Sequence, residues 1–165
     1  SDQIYAKILK STLIFPHRDI PCIMIATGTG CASFHAYIQS IMGNSSNPSH
    51  LVFLGFRNKE KDFLFKKDWE DFEKSKNIKM FTAFSRDQHQ KIYVQDRITE
   101  NGSLIWEYIS KGAWIYLSGN AKRMPDDVYE SIKNIVKLFG KLTEKIATKF
   151  MSDLEKLNRY QTETY

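Results

Sequence analysis

Short apolar runs and amphipathic stretches alternate along this chain. Cys22-Ile23-Met24-Ile25, Leu51-Val52-Phe53-Leu54, Ile78 to Phe84 and Trp114-Ile115-Tyr116-Leu117 are mostly apolar, and small or polar residues end each of them. Runs of this length suit strands covered on both faces. Between them, apolar positions recur at helical spacing. The spacing predicts helices over Ala32 to Met42, over Phe65, Trp69 and Phe72 behind a cap at Asp62, and over Tyr93 to Ser110 with a break at Asn101-Gly102. Two more follow, from Pro125, suited to a first turn, to about Phe139, and from Thr143 to Leu157. Gly43 to Ser49 is a breaker rich in Asn, Ser and Gly, and Tyr160 to Tyr165 reads as a last short strand. Trp69, Trp106 and Trp114 fall on apolar faces and belong in the core.

Strands alternating with helices indicate an α/β fold of three layers, a doubly wound parallel sheet of about five strands. Residues 1–20, with Ile14-Phe15 and a Pro-bounded turn from Pro16 to Pro21, read as a linker. Residues 21–165 read as one domain. There is no internal repeat. Ligands in such sheets bind beyond the carboxyl ends of the strands, near the switch in strand order. That selects four loops: 26–31, 55–58, 85–95 and 118–124.

In the first, Gly28 and Gly30 would let the backbone approach a pyrophosphate at a helix amino terminus with free N–H donors. Ser33 stands at the third position of G-x-G-x-x-G, so the dinucleotide fingerprint is incomplete, and a tight turn without ligand explains this loop as well. In the third, Ser85-Arg86 follows a strand and Lys91, Tyr93 and Gln95 alternate. Two cations, a hydroxyl and an aromatic ring are what a 2′-phosphorylated adenosine needs; a solvated loop with a helix cap at Ser85 explains the same residues. Ser118-Gly119-Asn120-Ala121 is a small-residue turn, open to a substrate ring or serving only to join strand and helix.

Composition narrows this picture a little. A hydrophobic share of 42% and a charged share of 26% are those of a soluble globular domain. The net charge of +5 suits an anionic ligand, an acidic partner domain or nucleic acid. Basic and acidic residues are interleaved with no basic arm, so no nucleic acid is expected. Cys22 and Cys31 form no C-x-x-C pair, and His17, His35, His50 and His89 are scattered. Hence we assign no metal and no disulfide framework, and expect a reducing, cytoplasmic setting. No apolar run reaches membrane-spanning length.

Gly28-Thr29-Gly30, Gly55-Phe56-Arg57, Ser85-Arg86 with Lys91-Ile92-Tyr93-Val94-Gln95, and Ser118-Gly119-Asn120-Ala121 occur in the order found in Rossmann-like NADP-binding modules of the ferredoxin–NADP reductase type. The chain resembles the diflavin reductases, whose cytochrome P450 reductase and nitric oxide synthase branches share the fold. Ala121-Lys122-Arg123-Met124-Pro125 and Gln161-Thr162-Glu163-Thr164-Tyr165 are similar to the branch serving cytosolic iron–sulfur assembly. The resemblance covers nearly the whole chain from about residue 14.

The resemblance implies an NADPH-dependent oxidoreductase module that passes hydride from NADPH to FAD, and electrons through FMN to an acceptor, an iron–sulfur or haem protein. Thr29, with Gly28 and Gly30, would cradle the pyrophosphate. Ser85, Arg86, Lys91 and Tyr93, with Gln95 alongside, would take the 2′-phosphate and adenine. Arg57 would lie on the pyrophosphate or ribose side, Asp127 near the adenosine half and Ser118 near nicotinamide, with Asn120 also touching the cofactor. Tyr165 would cover the flavin ring and Glu163 would help arrange the transfer. The sequence departs from the family at Ala26-Thr27 in place of Gly-Pro, at Ser33 in place of Pro, at Ser118 where P450 reductases carry Cys, and at Tyr165 where most diflavin reductases carry Trp.

Neither the FAD-binding barrel nor the flavodoxin-like FMN domain is encoded in these residues, so both are expected elsewhere in a longer chain. The 165 residues should bind NADP(H) without catalysing its oxidation. The aromatic tail should be unordered with no flavin to cover. Three alternatives stay open: the module of a single-flavin ferredoxin or cytochrome reductase, a non-catalytic nucleotide- or nucleic-acid-binding domain, and a degenerate homologue.

Overall fold

A computed structural model describes residue 5, residues 11–42 and residues 48–165. Its centre is one sheet of five parallel strands: β1 (Cys22–Thr27), β2 (His50–Phe56), β3 (Ile78–Phe84), β4 (Trp114–Gly119) and β5 (Tyr160–Thr164), in the order β3-β2-β1-β4-β5. In β1, β2 and β4 the apolar runs become strands because both faces are covered, so neighbouring residues find apolar partners on opposite sides, whereas the edge strand β3 is only partly buried. Ile23, Ile25, Leu51, Phe53, Ile115 and Leu117 enter one core. Met24, Ala26, Val52, Leu54 and Tyr116 enter the other.

The first core is closed by α4 (Val94–Glu100), α5 (Gly102–Ser110), α6 (Met124–Phe139) and α7 (Glu144–Lys156). In α6, Pro125 sits in the first turn and Val128, Ile132, Ile135 and Val136 are buried at helical spacing. Each such side chain contributes about 1.5–3 kcal/mol by leaving water. The Thr143 hydroxyl accepts from the Ile146 amide at 3.4 Å and starts α7. Asn101 both ends α4 and begins α5, the expected break.

On the other face, α1 (Cys31–Ile41) lies over β1 and α3 (Lys66–Lys74) over β3. Trp69 is fully buried there, while Trp106 and Trp114 are partly buried against the two cores. The expected cap at Asp62 is corrected. Asp62 instead ends a short helix, α2 (Lys59–Asp62), and its carboxylate accepts from the Asn58 amide at 3.1 Å. Phe65 precedes α3 in a left-handed conformation (φ 57°). That turn stacks its ring on His35 at 4.2 Å, and His35 Nε2 lies 2.8 Å from the Asp68 carboxylate.

The β4 side of this face is covered by residues 11–16, which the sequence had assigned to a linker. Leu13 is buried, and Phe15 stacks on Tyr37 at 4.0 Å and lies 4.8 Å from Tyr116. The Tyr116 hydroxyl donates to the Ile14 carbonyl at 2.8 Å. At the amino end of the sheet, buried His50 accepts the Cys22 amide proton on Nδ1 at 3.0 Å, and burial lowers its pKa to about 4. The breaker Gly43 to Ser49 falls mostly on residues 43–47, outside the described residues. Among the described residues, no helix is long and apolar enough to cross a membrane.

Candidate functional site

The chain runs outward through β1, β2 and β3, then returns to place β4 on the other flank of β1. A crevice therefore opens where the loops after β1 and β4 leave in opposite directions. A cleft of about 950 Å³ lies there, lined by the loops that follow all four of these strands.

Its floor is the turn Gly28–Gly30, a single 3-10 turn leading directly into α1. Gly30 is buried so tightly that a Cβ would fall 2.4 Å from the Ser118 carbonyl oxygen. Gly119 (φ 144°) is held as closely, since its Cβ would lie 2.3 Å from Thr27 Oγ1. Gly28 differs: its φ is 56°, yet no atom lies within 4 Å of the place a Cβ would take. It leaves open space on the cleft side. The start of α1 has neither a side-chain cap nor an acidic residue in its first turn, so its amide groups and positive dipole end are available to an anion.

The second wall is made by the loops after β2 and β3. The Ser85 amide donates to the Phe56 carbonyl at 3.0 Å and the Arg86 amide to the Arg57 carbonyl at 2.8 Å, extending the strand pairing past the sheet. Tyr93, 44% exposed, precedes α4, and its amide donates to the Asp96 carboxylate at 2.7 Å. Gln95 Nε2 reaches the Asp127 carboxylate at 3.4 Å, tying α4 to α6 along the cleft.

Charge is arranged unevenly. Lys133 bridges Glu130 and Glu144, and Lys74, Lys111 and Lys149 have carboxylate partners. Around the cleft, among the described residues, no carboxylate lies within salt-bridge distance of Arg57, Arg86, Lys91, Lys122 or Arg123. Unpartnered cations beside an uncapped helix start fit a ligand with more than one phosphate.

The expectation of an unordered tail is corrected. β5 pairs in register with β4, Ser118 opposite Glu163 and Gly119 opposite Thr164. The Tyr165 amide donates to the Gly119 carbonyl at 3.1 Å and its carbonyl accepts from Ala121 at 3.0 Å. Its ring lines the cleft, and the hydroxyls of Tyr165 and Thr29 share a hydrogen bond. Strand pairing supplies an anchor that needs no flavin. Glu163 Oε1 accepts from the Thr12 amide (3.1 Å), the Thr12 hydroxyl (3.0 Å) and the Ser11 hydroxyl (3.1 Å). The Thr12 amide first, then the two hydroxyls, hold this carboxyl below the usual carboxylate range. Gln161 exchanges two bonds with the Ile14 backbone, at 2.8 and 2.9 Å.

Of the residues expected at the site, Gly28, Thr29, Arg57, Ser85, Tyr93, Gln95, Asn120, Asp127 and Tyr165 line this one cleft. Gly30 lies buried beneath it, and Arg86 and Lys91 are exposed without lining it. Ser118 is 2% exposed and does not reach the cleft, and Glu163 faces Ser11 and Thr12 instead. Sequence reasoning missed Lys61 and Asp62, because a four-residue helix leaves no periodic signal. It also singled out neither Lys122 nor Arg123 for a site role, although both stand in a loop it had selected.

Residues 24–130 match the family described as "Oxidoreductase NAD-binding domain". The chain is 42% identical over 160 residues to NADPH-dependent diflavin oxidoreductase 1 of Xenopus laevis, covering 96% of this chain and 26% of that protein. It is 40% identical over 156 residues to the Mus musculus protein of that name, covering 93% and 26%. To the NADPH sulfite reductase flavoprotein alpha-component of Buchnera aphidicola it is 39% identical over 158 residues, covering 94% and 26%. The chain thus spans about a quarter of the length of the relatives it matches. A parallel sheet that opens at its switch point over a glycine turn is how such domains meet a dinucleotide, and the chain belongs to the oxidoreductase NAD-binding domain family, in the form carried by diflavin reductases.

Proposed function

We propose that this chain binds NADP(H) between β1 and β4 as the NADPH module of a diflavin reductase, facing an FAD held by a domain outside these residues. The observation that carries this reading is the set of unpartnered cations lining the cleft, Arg57, Lys122 and Arg123, above an uncapped helix start, with unpartnered Arg86 and Lys91 exposed on the loop after β3. In this reading Gly28, Thr29 and Gly30 hold the diphosphate, with Arg57 or Lys122 neutralising it. Ser85, Arg86 and Lys91 take the 2′-phosphate, Tyr93 covers the adenine, and Gln95 with Asp127 borders the adenosine half.

The bound cofactor supplies a hydride for the flavin when its nicotinamide is reduced. Tyr165 would lie over the flavin and give way to the nicotinamide; its backbone bonds and its hydroxyl bond to Thr29 hold it at the rim. Ser118, buried, and Glu163, engaged by Thr12, receive no contact role here. Electrons leave through an FMN domain of the longer chain to a protein acceptor, an iron–sulfur or haem protein. Free, buried Cys22 and Cys31 support a reducing setting such as the cytoplasm.

Calorimetric titration with 2′,5′-ADP and with 5′-ADP tests the reading. The 2′-phosphorylated ligand should bind at least about tenfold tighter, a difference of about 1.4 kcal/mol. Equal affinities would move the cofactor to NAD.

A further inference from the structure

We propose that Asp87 is a positioning residue for 2′-phosphate recognition, pinning the loop that carries Ser85 and Arg86 to the loop that carries Arg57. The inference deepens the NADP(H) reading above and rests on it.

Beyond the ends of β2 and β3 the two loops stay together for a few residues. The amides of Ser85 and Arg86 bond to the carbonyls of Phe56 and Arg57, at 3.0 and 2.8 Å. The backbone ladder then stops and the Asp87 side chain continues it. One carboxylate oxygen accepts from Asn58 Nδ2 and the other from the Lys59 amide, each at 2.9 Å. The Lys59 amide is one of the first-turn donors of α2, which that helix cannot satisfy itself. Asn58 Nδ2 also lies 3.4 Å from the Arg86 carbonyl, and the next residue, Gln88, donates to the Phe84 carbonyl at 2.6 Å. Three consecutive residues, 85 to 87, are thus fastened to 56 to 59.

The sign of the charge makes this informative. A carboxylate next to Arg86 has the wrong charge to touch a phosphate, and its two oxygens are directed at N–H groups of the opposite loop. Ser85 lines the cleft, whereas Arg86 and Lys91 stand exposed on a loop of polar, solvated residues. Without a pin, the entropy of ordering that loop would fall on the ligand.

The two views of Asp87 predict opposite outcomes. Were it only a surface charge, Asp87→Ala would tighten 2′,5′-ADP binding by removing a like charge, most strongly at low salt. As a pin, its loss weakens 2′,5′-ADP about tenfold and leaves 5′-ADP unchanged. Calorimetric titration of the 165-residue chain and its variants with both ligands reads this directly, with thermal melting to verify folding. The paired substitution Asn58→Asp with Asp87→Asn keeps the net charge and reverses donor and acceptor, and it should restore most of the lost affinity.

Amide exchange at Lys59 and Arg86, read without ligand, should accelerate in Asp87→Ala and return in the pair. Tighter or unchanged 2′,5′-ADP binding, an equal loss for both ligands, or unaltered exchange overturns the proposal. Equal binding of both ligands by the unsubstituted chain overturns the NADP(H) reading instead, and exchange still reports whether Asp87 pins the loops.

Discussion

The two walls of the cleft are built in opposite ways. Where β1 meets β4, position is set by backbone against backbone: Gly30 against the Ser118 carbonyl and Gly119 against Thr27, with no room for one carbon atom. Where the loops after β2 and β3 meet, two backbone bonds from Ser85 and Arg86 are continued by side chains, with Asp87 reaching the Asn58 amide group and the Lys59 backbone amide. The first kind of wall cannot adjust and suits a diphosphate, the part every dinucleotide shares. The second is made of bonds worth about 1 kcal/mol each and can change by single substitutions, which suits the part that differs between NAD and NADP.

Substitutions can break this contrast, and Gly30→Ala should have the largest effect. A Cβ 2.4 Å from a buried carbonyl forces the turn away from β4, so we expect a loss of about 3 kcal/mol or more, read as a fall in Tm, together with loss of both ADP ligands. Arg86→Ala should leave Tm and 5′-ADP affinity unchanged and weaken 2′,5′-ADP about tenfold in calorimetry. A parallel loss of 5′-ADP would mean that Arg86 does not act on the 2′-phosphate alone. Gly28→Ala sharpens the comparison within a single turn. Its side chain meets nothing, so only the positive φ is penalised, by about 1 kcal/mol in a denaturant melt.

The smallest expected effect is that of Glu163→Gln, below about 1 kcal/mol at pH 7. The folded Glu163 carboxyl lies below its ordinary value, so its contribution is complete above the unfolded pKa of about 4.3 and lost as pH falls through the folded value. The gap between the melting curves of the two proteins should therefore narrow as pH falls below about 4.3. A gap that does not narrow would show that shape, not charge, holds Ser11 and Thr12.

Much of this was legible in the chain. Strands buried on both faces announce themselves as apolar runs, and β1 to β4 lie where those runs lie. The cleft loops follow from the rule that ligands sit at carboxyl ends, and nine of the expected residues line one cleft. What could not be read depends on contacts distant in sequence. Asp62 resembled a cap because Phe65, Trp69 and Phe72 keep helical spacing, but Phe65 stacks on His35 from outside the helix. Residues 11–16 carry a linker's composition, and only Tyr37 and Tyr116, many residues later, give Phe15 a surface to cover. The hydroxyl partners of Glu163, Ser11 and Thr12, lie more than a hundred positions away from it.

The fastening of Ser11 to Ile14 onto β5 has a mechanical meaning. Glu163 and Gln161 grip the incoming segment, and the strand they belong to ends in the residue whose ring lines the cleft. A pull on residues 11–14 would bear on β5 through the Glu163 and Gln161 side chains, and β5 leads into Tyr165, whose backbone bonds to Gly119 and Ala121 tie it to the rim of the cleft.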